Sequence, residues 1–532
     1  MPQFFNAGDW LIIAAYLLGI IGLGVWFGKD QRNTRDYFLG SKNIPWWGIG
    51  FSIVAAETSA LTIIGVPAMA FGENIAFIQM ILGYVIARVI LAAVMVPHYF
   101  RGEIYSPYQL LENHLGLRVR RFGGAIFLLM ETMAAGVRVY VACIPIRLML
   151  GDSLLSFGGI MNPILGAIIL FVGLSLVYTY IGGVKAVIWT DAVQFGLFLL
   201  GGLFALFYIP TLVEGGWAGA FARAAAGGKL HWLNAIPPAG VAWKDFLFSA
   251  PFNIWMGIIG GTVMVMSTHG AEQLIVQRVL ACRNVAEGRK ALILSAVVVF
   301  PLFLIFLLVG ALLWVFYQAH PFQIPLPEAR PGIKANDFIF PIFMMTEVPH
   351  LLRGFLIVAI LSAAMSSISS ALTSLASVST MDIMKRLLPS QSEEFFLRFS
   401  RDSTVFWALA LIGVAWLTRE VPFVLNAAFS LRGLTSGALL GSLIVALFWK
   451  RLGATAAISG MAASLVVMNL IFWPARLDAT KDWWMEHMKG EVFWPWFTLI
   501  GTAVTLGTAW LVSLFTGPRT ATSVSPPEPP PP

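Results

Sequence analysis

Apolar residues along this chain come in long blocks separated by short polar breaks. The blocks fall near 9–28, 45–71, 75–100, 122–149, 159–180, 186–213, 251–279, 291–317, 351–384, 402–418, 421–449, 453–474 and 492–515. A helix needs roughly 20 apolar residues to cross a bilayer, and these blocks are of that order. Their apolar character is continuous, unlike the short alternating strands of a β-barrel. The pattern predicts an all-α polytopic membrane protein with about 13 transmembrane helices.

Two blocks carry interruptions. In 45–71, Glu57, Thr58 and Ser59 break the run, and Gly65 and Pro67 follow. In 251–279, Gly260-Gly261-Thr262 precedes Ser267-Thr268-His269-Gly270. Proline removes a backbone donor and disrupts the turn before it. Interrupted spans five helices apart point to an inverted-repeat transporter with helices 1 and 6 broken.

The block at 351–384 poses the opposite problem, because hydroxyls crowd it. At about 100° per residue, Ser362, Ser366, Ser369, Ser370, Thr373 and Ser377 fall within an arc of about 100°. Tight helix packing accounts for a serine or two. A whole stripe suits an oxygen-lined site for a hard cation, by the logic that governs other such ions. Such a site also needs free backbone carbonyls, which the broken span supplies.

Composition agrees with a membrane protein: 58% of residues are hydrophobic and 11% charged, with mean hydropathy +0.80. A soluble domain carries about 25% charged residues. The net charge of +7 does not indicate nucleic acid, because the basic residues gather in loops on one side. That side holds Lys29, Arg32, Arg118, Arg120, Arg121, Arg278, Arg283, Lys385 and Arg386 among others, and the positive-inside rule places it in the cytoplasm. The expected orientation is N-terminus outside and C-terminus cytoplasmic, in a cell inner membrane or plasma membrane. The first block lacks a basic start and a cleavage site and is expected to remain as an anchor. The Pro-rich end, 516–532, is expected to be a disordered cytoplasmic tail. Cys143 and Cys282 imply neither a disulfide framework nor a metal knuckle, and the seven histidines show no ligand spacing.

Three stretches then carry a resemblance: "DYFLGSKNIPWW" (36–47), "YTYIGGVKAVIWTDAVQ" (178–194) and "AAMSSISSALTSLASVSTMDI" (363–383). Together they resemble the sodium/solute symporter family, which includes sodium-coupled sugar, proline, pantothenate, iodide, monocarboxylate and sialic acid carriers. The similarity runs to about residue 474. It implies a LeuT-type 5+5 inverted repeat in a single transmembrane domain, 1–515. Repeat one would span about 45–213 and repeat two about 251–449, with extra helices at 9–28, 453–474 and 492–515. The family's shared Na⁺ site would use the carbonyls of Ala55, Thr58 and Ala363 and the hydroxyls of Ser366 and Ser367. Members resembling the sialic acid carriers hold a second Na⁺, here implying Asp191, Ser369, Ser370 and the carbonyl of Ser366. A simpler role for Asp191 is a helix-end residue near Lys185.

The resemblance implies Na⁺-coupled symport of a small organic solute by alternating access, in a protein expected to work as a monomer. Candidate solute contacts are Gln79, Arg138, Thr262 and Arg432. The stretches matching the sugar carriers' polar positions are mostly apolar here, which weighs against a neutral sugar. Arg88, Arg138 and Arg432 lie inside spans, and an intramembrane ionisable residue suggests function. The position of the sialic acid carriers' carboxylate-binding arginine is Ala134 here, one turn from Arg138. Arg88–Glu57 and Arg138–Glu131 pairs would neutralise each other. Two acids against three arginines leave one cation over, favouring a carboxylate-bearing solute over a zwitterion or a neutral sugar. A membrane enzyme, a channel and a transporter-like sensor find no matching catalytic cluster, pore loop or fused domain.

Overall fold

The computed structural model describes residues 4–516, apart from 29–30, 103, 157–158, 250, 331–332, 335, 420–423, 450 and 489–490. The tail expected to be disordered lies, from residue 517 onward, outside the described residues. Among the described residues, nine helices are long and apolar enough to cross a membrane, and a bent pair makes a tenth.

The elements that position the site are α1 (Ala7–Phe27), α2 (Trp46–Glu57), α3 (Val66–Gly72), α4 (Ile78–Ile90), α5 (Leu117–Leu155) and α6 (Pro163–Tyr208). After them come α7 (Thr262–Gly270), α8 (Gln273–Leu280), α9 (Val285–Ala319), α10 (Leu352–Ser377), α11 (Glu393–Leu417) and α12 (Val424–Phe448). The chain closes with α13 (Ala454–Phe472) and α14 (Phe497–Thr516). α6 has 46 residues, about 70 Å at 1.5 Å per residue, or two bilayer crossings. It turns at Gly183, whose φ of 53° only glycine adopts without strain. Counting α6 twice, adding the broken span that contains α7 and α8, and adding α11 recovers the thirteen expected spans. α11 lacks the hydropathy of its neighbours because it begins with Glu393, Glu394, Arg398 and Arg401.

Both expected breaks exist: the first falls at Glu57–Ser59 rather than at Gly65 or Pro67, and the second just after Gly270 rather than at Gly260-Gly261. The first bends by 59° between Glu57 and Leu61, where Thr58 is extended (φ −83°, ψ 102°). Pro67 instead lies within the continuous helix Leu61–Gly72, just after a widened helical turn, Leu61–Gly65, that runs directly into α3. The second break falls at Ala271-Glu272, and Glu272 is extended (φ −106°, ψ 138°). Gly260 and Gly261 belong to a widened helical turn, Met256–Gly261, that runs directly into α7. Both breaks are made by residues that leave helical φ/ψ and turn polar groups inward.

α10 is the central helix, buried along almost its whole length. It packs against α6, α1, α5 and α2. α9 supports α3 so closely that a methyl group on Gly310 would lie 2.2 Å from the carbonyl oxygen of Pro67. Outside the helices, Glu328–Arg330 and Ile333–Lys334 form a short antiparallel ribbon in the loop after α9. That ribbon is the departure from an all-α chain.

Candidate functional site

The first break frees backbone oxygens. The Thr58 N–H bonds the Val54 carbonyl, 2.8 Å, as the last such bond of α2. Among the described residues no later backbone amide closes on Ala55. The Thr58 hydroxyl is buried without a hydrogen-bond partner. Across the gap, the Ser367 hydroxyl donates to the Ala363 carbonyl, 3.0 Å. Ala55, Thr58, Ala363, Ser366 and Ser367 are all buried. An unwound carbonyl end beside a hydroxyl-bearing helix is an all-oxygen, uncharged donor set. It fits a hard monovalent cation and has no soft ligand to favour a transition metal.

One turn further along α10 lies a second cluster, built on Asp191. Its Oδ1 accepts from the Ser366 hydroxyl, 2.7 Å. Its Oδ2 accepts from Ser52, 2.6 Å, and from the Arg278 Nη2, 2.9 Å. Arg278 also donates to Ser52, 2.9 Å, and to Ser370. The hydroxyls of Ser369 and Ser370 both donate to the Ser366 carbonyl, at 3.0 and 2.6 Å. The four residues suggested for a second ion therefore meet at one place. Asp191 is fully buried, not a water-exposed helix end, and its charge partner is Arg278 rather than Lys185. By hydropathy Arg278 fell among the cytoplasmic loop cations; in the fold it is buried on α8.

The central cavity lies between the first break, α4, α5, α7, α9 and α12. It encloses about 70 Å³. Glu57, Arg138 and Arg432 line it, with apolar Leu61, Val265 and Phe429. The expected pairs form: Arg88 binds Glu57, and Arg138 lies 3.5 Å from Glu131. Arg432 is also paired, its Nε donating to Glu272 Oε2 at 3.0 Å, with Glu131 at 3.8 Å. Glu272 is the third acid, and it overturns the surplus of one cation. It was missed because it follows the apolar run at the second break, where hydropathy blurs loop and span. Arg88 in turn points a guanidinium N–H at His269 Nε2, 3.1 Å. An arginine only donates, so that nitrogen accepts and the imidazole is neutral. The other ring nitrogen lies 2.8 Å from the Thr268 hydroxyl.

Two suggested solute contacts lie elsewhere. Gln79 donates to the carbonyls of Ala76, 3.1 Å, and Phe252, 3.4 Å, and accepts from the Asn234 N–H, 3.0 Å. Every atom of its amide is tied to backbone, so it joins α4 to the loop before α7. The Thr262 hydroxyl donates to Gly83, 3.3 Å, holding α7 on α4. Neither residue lines the cavity.

The opposite end of α10 is closed by charge. Asp382 accepts from Ser106 and from the Arg120 Nε, each 2.6 Å, and the Arg120 Nη2 donates to the Met381 carbonyl, 2.8 Å. Gln273 reaches Tyr105, 2.8 Å, and Ser377, 3.0 Å.

Two broken helices flanking a buried cavity, with an oxygen cluster at one break, define a membrane carrier of the inverted-repeat kind. Residues 37–463 match the Sodium:solute symporter family, and the chain belongs to that family. It is 30% identical over 476 residues to the sodium/sialic acid symporter SiaT of Proteus mirabilis, covering 87% of this chain and 89% of that protein. A solved Na⁺-coupled sialic acid symporter, substrate-bound and outward-open, superposes with a TM-score of 0.81 at 25% identity, over 97% of this chain and 99% of that one. A closed form of the nucleobase-cation-symport-1 transporter Mhp1 shares the fold at a TM-score of 0.52 and 14% identity, over 90% and 95% of the two chains. The chain is thus a multi-pass Na⁺-coupled symporter working by alternating access, and not an enzyme.

Proposed function

We propose that this symporter imports a small organic monocarboxylate with Na⁺. Arg138 carries the reading: its guanidinium lines the cavity, yet among the described residues its one ion-pair contact is Glu131 at 3.5 Å, beyond hydrogen-bond length. Both Glu131 oxygens are buried without a hydrogen bond. A planar guanidinium left with free donors is suited to a carboxylate. That a relative's name specifies sialic acid, itself a carboxylate, is in keeping.

Na⁺ is held by the carbonyls of Ala55, Thr58 and Ala363 and the hydroxyls of Ser366 and Ser367. A second ion position uses Asp191 Oδ1, Ser369, Ser370 and the Ser366 carbonyl, with Arg278 already on the other carboxylate oxygen. Bound Na⁺ ties the first break to α10 and favours the conformation that forms the cavity. Coupling is reciprocal, so solute and ion raise each other's affinity by the same factor. The repeats at about 45–213 and 251–449 rock around the site in one domain, 1–515. The protein works as a monomer in the cell inner membrane or plasma membrane, N-terminus outside and C-terminus inside.

Thermal stability in proteoliposomes tests this, with and without Na⁺, across carboxylates, amino acids and sugars. A Na⁺-dependent rise with carboxylates is expected, and Arg138→Gln should weaken it at least about tenfold in half-maximal concentration. A rise confined to amino acids or neutral sugars would assign the carrier to those alternatives.

A further inference from the structure

A second recess, of about 310 Å³, lies at the far end of the molecule from the first break, beside the Asp382–Arg120 pair. Tyr105, Gln109 and Arg120 line it from the proposed repeat one, and Met381, Lys385 and Arg386 from the proposed repeat two. In the orientation given above it opens on the cytoplasmic side.

Every charged residue lining this recess is basic. The acids that pair with them stand outside the lining: Glu112 takes Arg120 and Arg386, Asp382 takes Arg120, and Glu393 takes Lys385. Arg120 is buried and fixed, its Nε on Asp382 at 2.6 Å and its Nη2 on the Met381 carbonyl at 2.8 Å. Arg386 has one hydrogen bond, to Glu112 at 2.9 Å, and the Lys385 ammonium has one, to Glu393. A guanidinium offers five N–H groups and an ammonium three, so most of these donors stay available. Arg118 and Arg121 are exposed at the start of α5, which has no acid in its first turn. Five cations therefore stand against three acids.

That excess suits a phosphate group, which carries about −1.5 to −2 charge at pH 7 and three strong acceptor oxygens. Arginine forks and a lysine ammonium are the side chains that bind such oxygens best. A carboxylate would leave a positive charge over. Leu387 and Leu388 follow Arg386 and are exposed, as at a membrane surface, where basic recesses between helices hold anionic headgroups.

We propose that this recess binds a phosphate-bearing anion, either the headgroup of a phosphomonoester lipid or a free phosphate compound, and that its occupancy holds the inner side closed. Both repeats supply lining residues, so the recess has this form only while their ends are together. A ligand that needs this form stabilises it.

The test holds the purified full chain at constant Na⁺ and ionic strength while chloride is exchanged for phosphate or pyrophosphate, reading the thermal midpoint. In parallel, phosphatidylcholine proteoliposomes are compared with and without phosphatidic acid. A saturable rise in the first arm identifies a free phosphate compound, and a rise confined to the second identifies a lipid headgroup. Lys385→Gln should raise the half-maximal concentration of the active anion about tenfold, and Lys385→Arg should bring it back to within a few-fold of the wild type. The Na⁺-only shift, read in the same samples, checks that each variant is folded. With the anion bound, a thiol introduced by Ser374→Cys, buried on α10 toward this end, should react several-fold more slowly with an impermeant reagent applied from the cytoplasmic face. No saturable response in either arm overturns the site. So does a response that Lys385→Gln leaves unchanged, which would reflect general screening of charge. Binding with an unaltered thiol reaction overturns the closing role.

Discussion

Asp191 shows how much one buried side chain can hold together. A carboxylate in hydrocarbon needs a cation partner, and Arg278 on α8 supplies one at 2.9 Å. The pair joins α6 to the inner half of the second broken span, and Ser52 and Ser366 complete its hydrogen bonds. With Arg278 on Oδ2, an ion at Oδ1 meets a carboxylate that is already partly neutralised, so its affinity should be lower than that of a free Asp–Na⁺ contact. The expected signature is in cooperativity. Na⁺ dependence of uptake should have a Hill slope between one and two in the wild type, falling to about one in Asp191→Ala. A slope near one in both would remove the second ion and leave Asp191 as Arg278's structural partner.

At the scale of elements, the two broken helices depend on what packs behind them. α3 completes the short helix Leu61–Gly72, which depends on the elements packed against it. It is fixed by α9, where Gly310 brings the helices to backbone contact. Gly310→Ala would place a methyl 2.2 Å from the Pro67 oxygen and 2.7 Å from its Cα. Both are backbone atoms, so α3 itself must move. Overpacking of this kind costs about 1–3 kcal/mol. The thermal midpoint should fall, and because α3 follows the first break, half-maximal Na⁺ should rise several-fold. An unchanged Na⁺ response with a lowered midpoint would separate α3 from the ion site. These elements also show what the chain's pattern made legible. The hydroxyl stripe and the polar interruption at Glu57–Ser59 pointed to their places because hydroxyls and acids are costly in an apolar run. Pro67 and Gly260-Gly261 pointed to the wrong ones, since each lies in or just after a widened helical turn that the helix runs through without breaking. Glu272 and Arg278 were illegible for a different reason. They lie where a span resumes after its break, and hydropathy cannot tell a re-entering polar residue from a loop. Their partners, Arg432 and Asp191, are 160 and 87 positions away, so only the fold reveals the charge balance.

For the whole molecule, direction of transport comes down to which side of the cavity is closed. In the orientation proposed above, the inner side is sealed by long-range polar contacts between elements that must separate. Asp382, past the end of α10, binds Ser106 and Arg120 from before and within α5. Glu112 bridges Arg120 and Arg386. Gln277 on α8 donates to Phe38, 2.9 Å, and the Tyr37 hydroxyl donates to the Thr179 carbonyl, 3.3 Å. Asp382 with Ser106 and Arg120, and Glu112 with Arg386, hold the two proposed repeats against each other, and opening inward requires these contacts to break together. Among them Asp382–Arg120 is the buried ion pair, with side chains 0% and 2% exposed. Removing one charge of such a pair costs the closed state more than the open one, where water reaches both groups. Asp382→Asn should therefore shift the population inward. A cysteine introduced as Ser374→Cys reports this, since Ser374 is buried on α10 toward the sealed end and the native Cys143 and Cys282 are themselves buried. Labelling by a membrane-impermeant thiol reagent from the cytoplasmic face, without Na⁺, should speed up several-fold in Asp382→Asn. Saturating Na⁺ should slow it again, because an ion that ties the first break to α10 stabilises the inward-closed form. Equal labelling rates with and without the substitution would mean that the seal is carried by packing rather than charge.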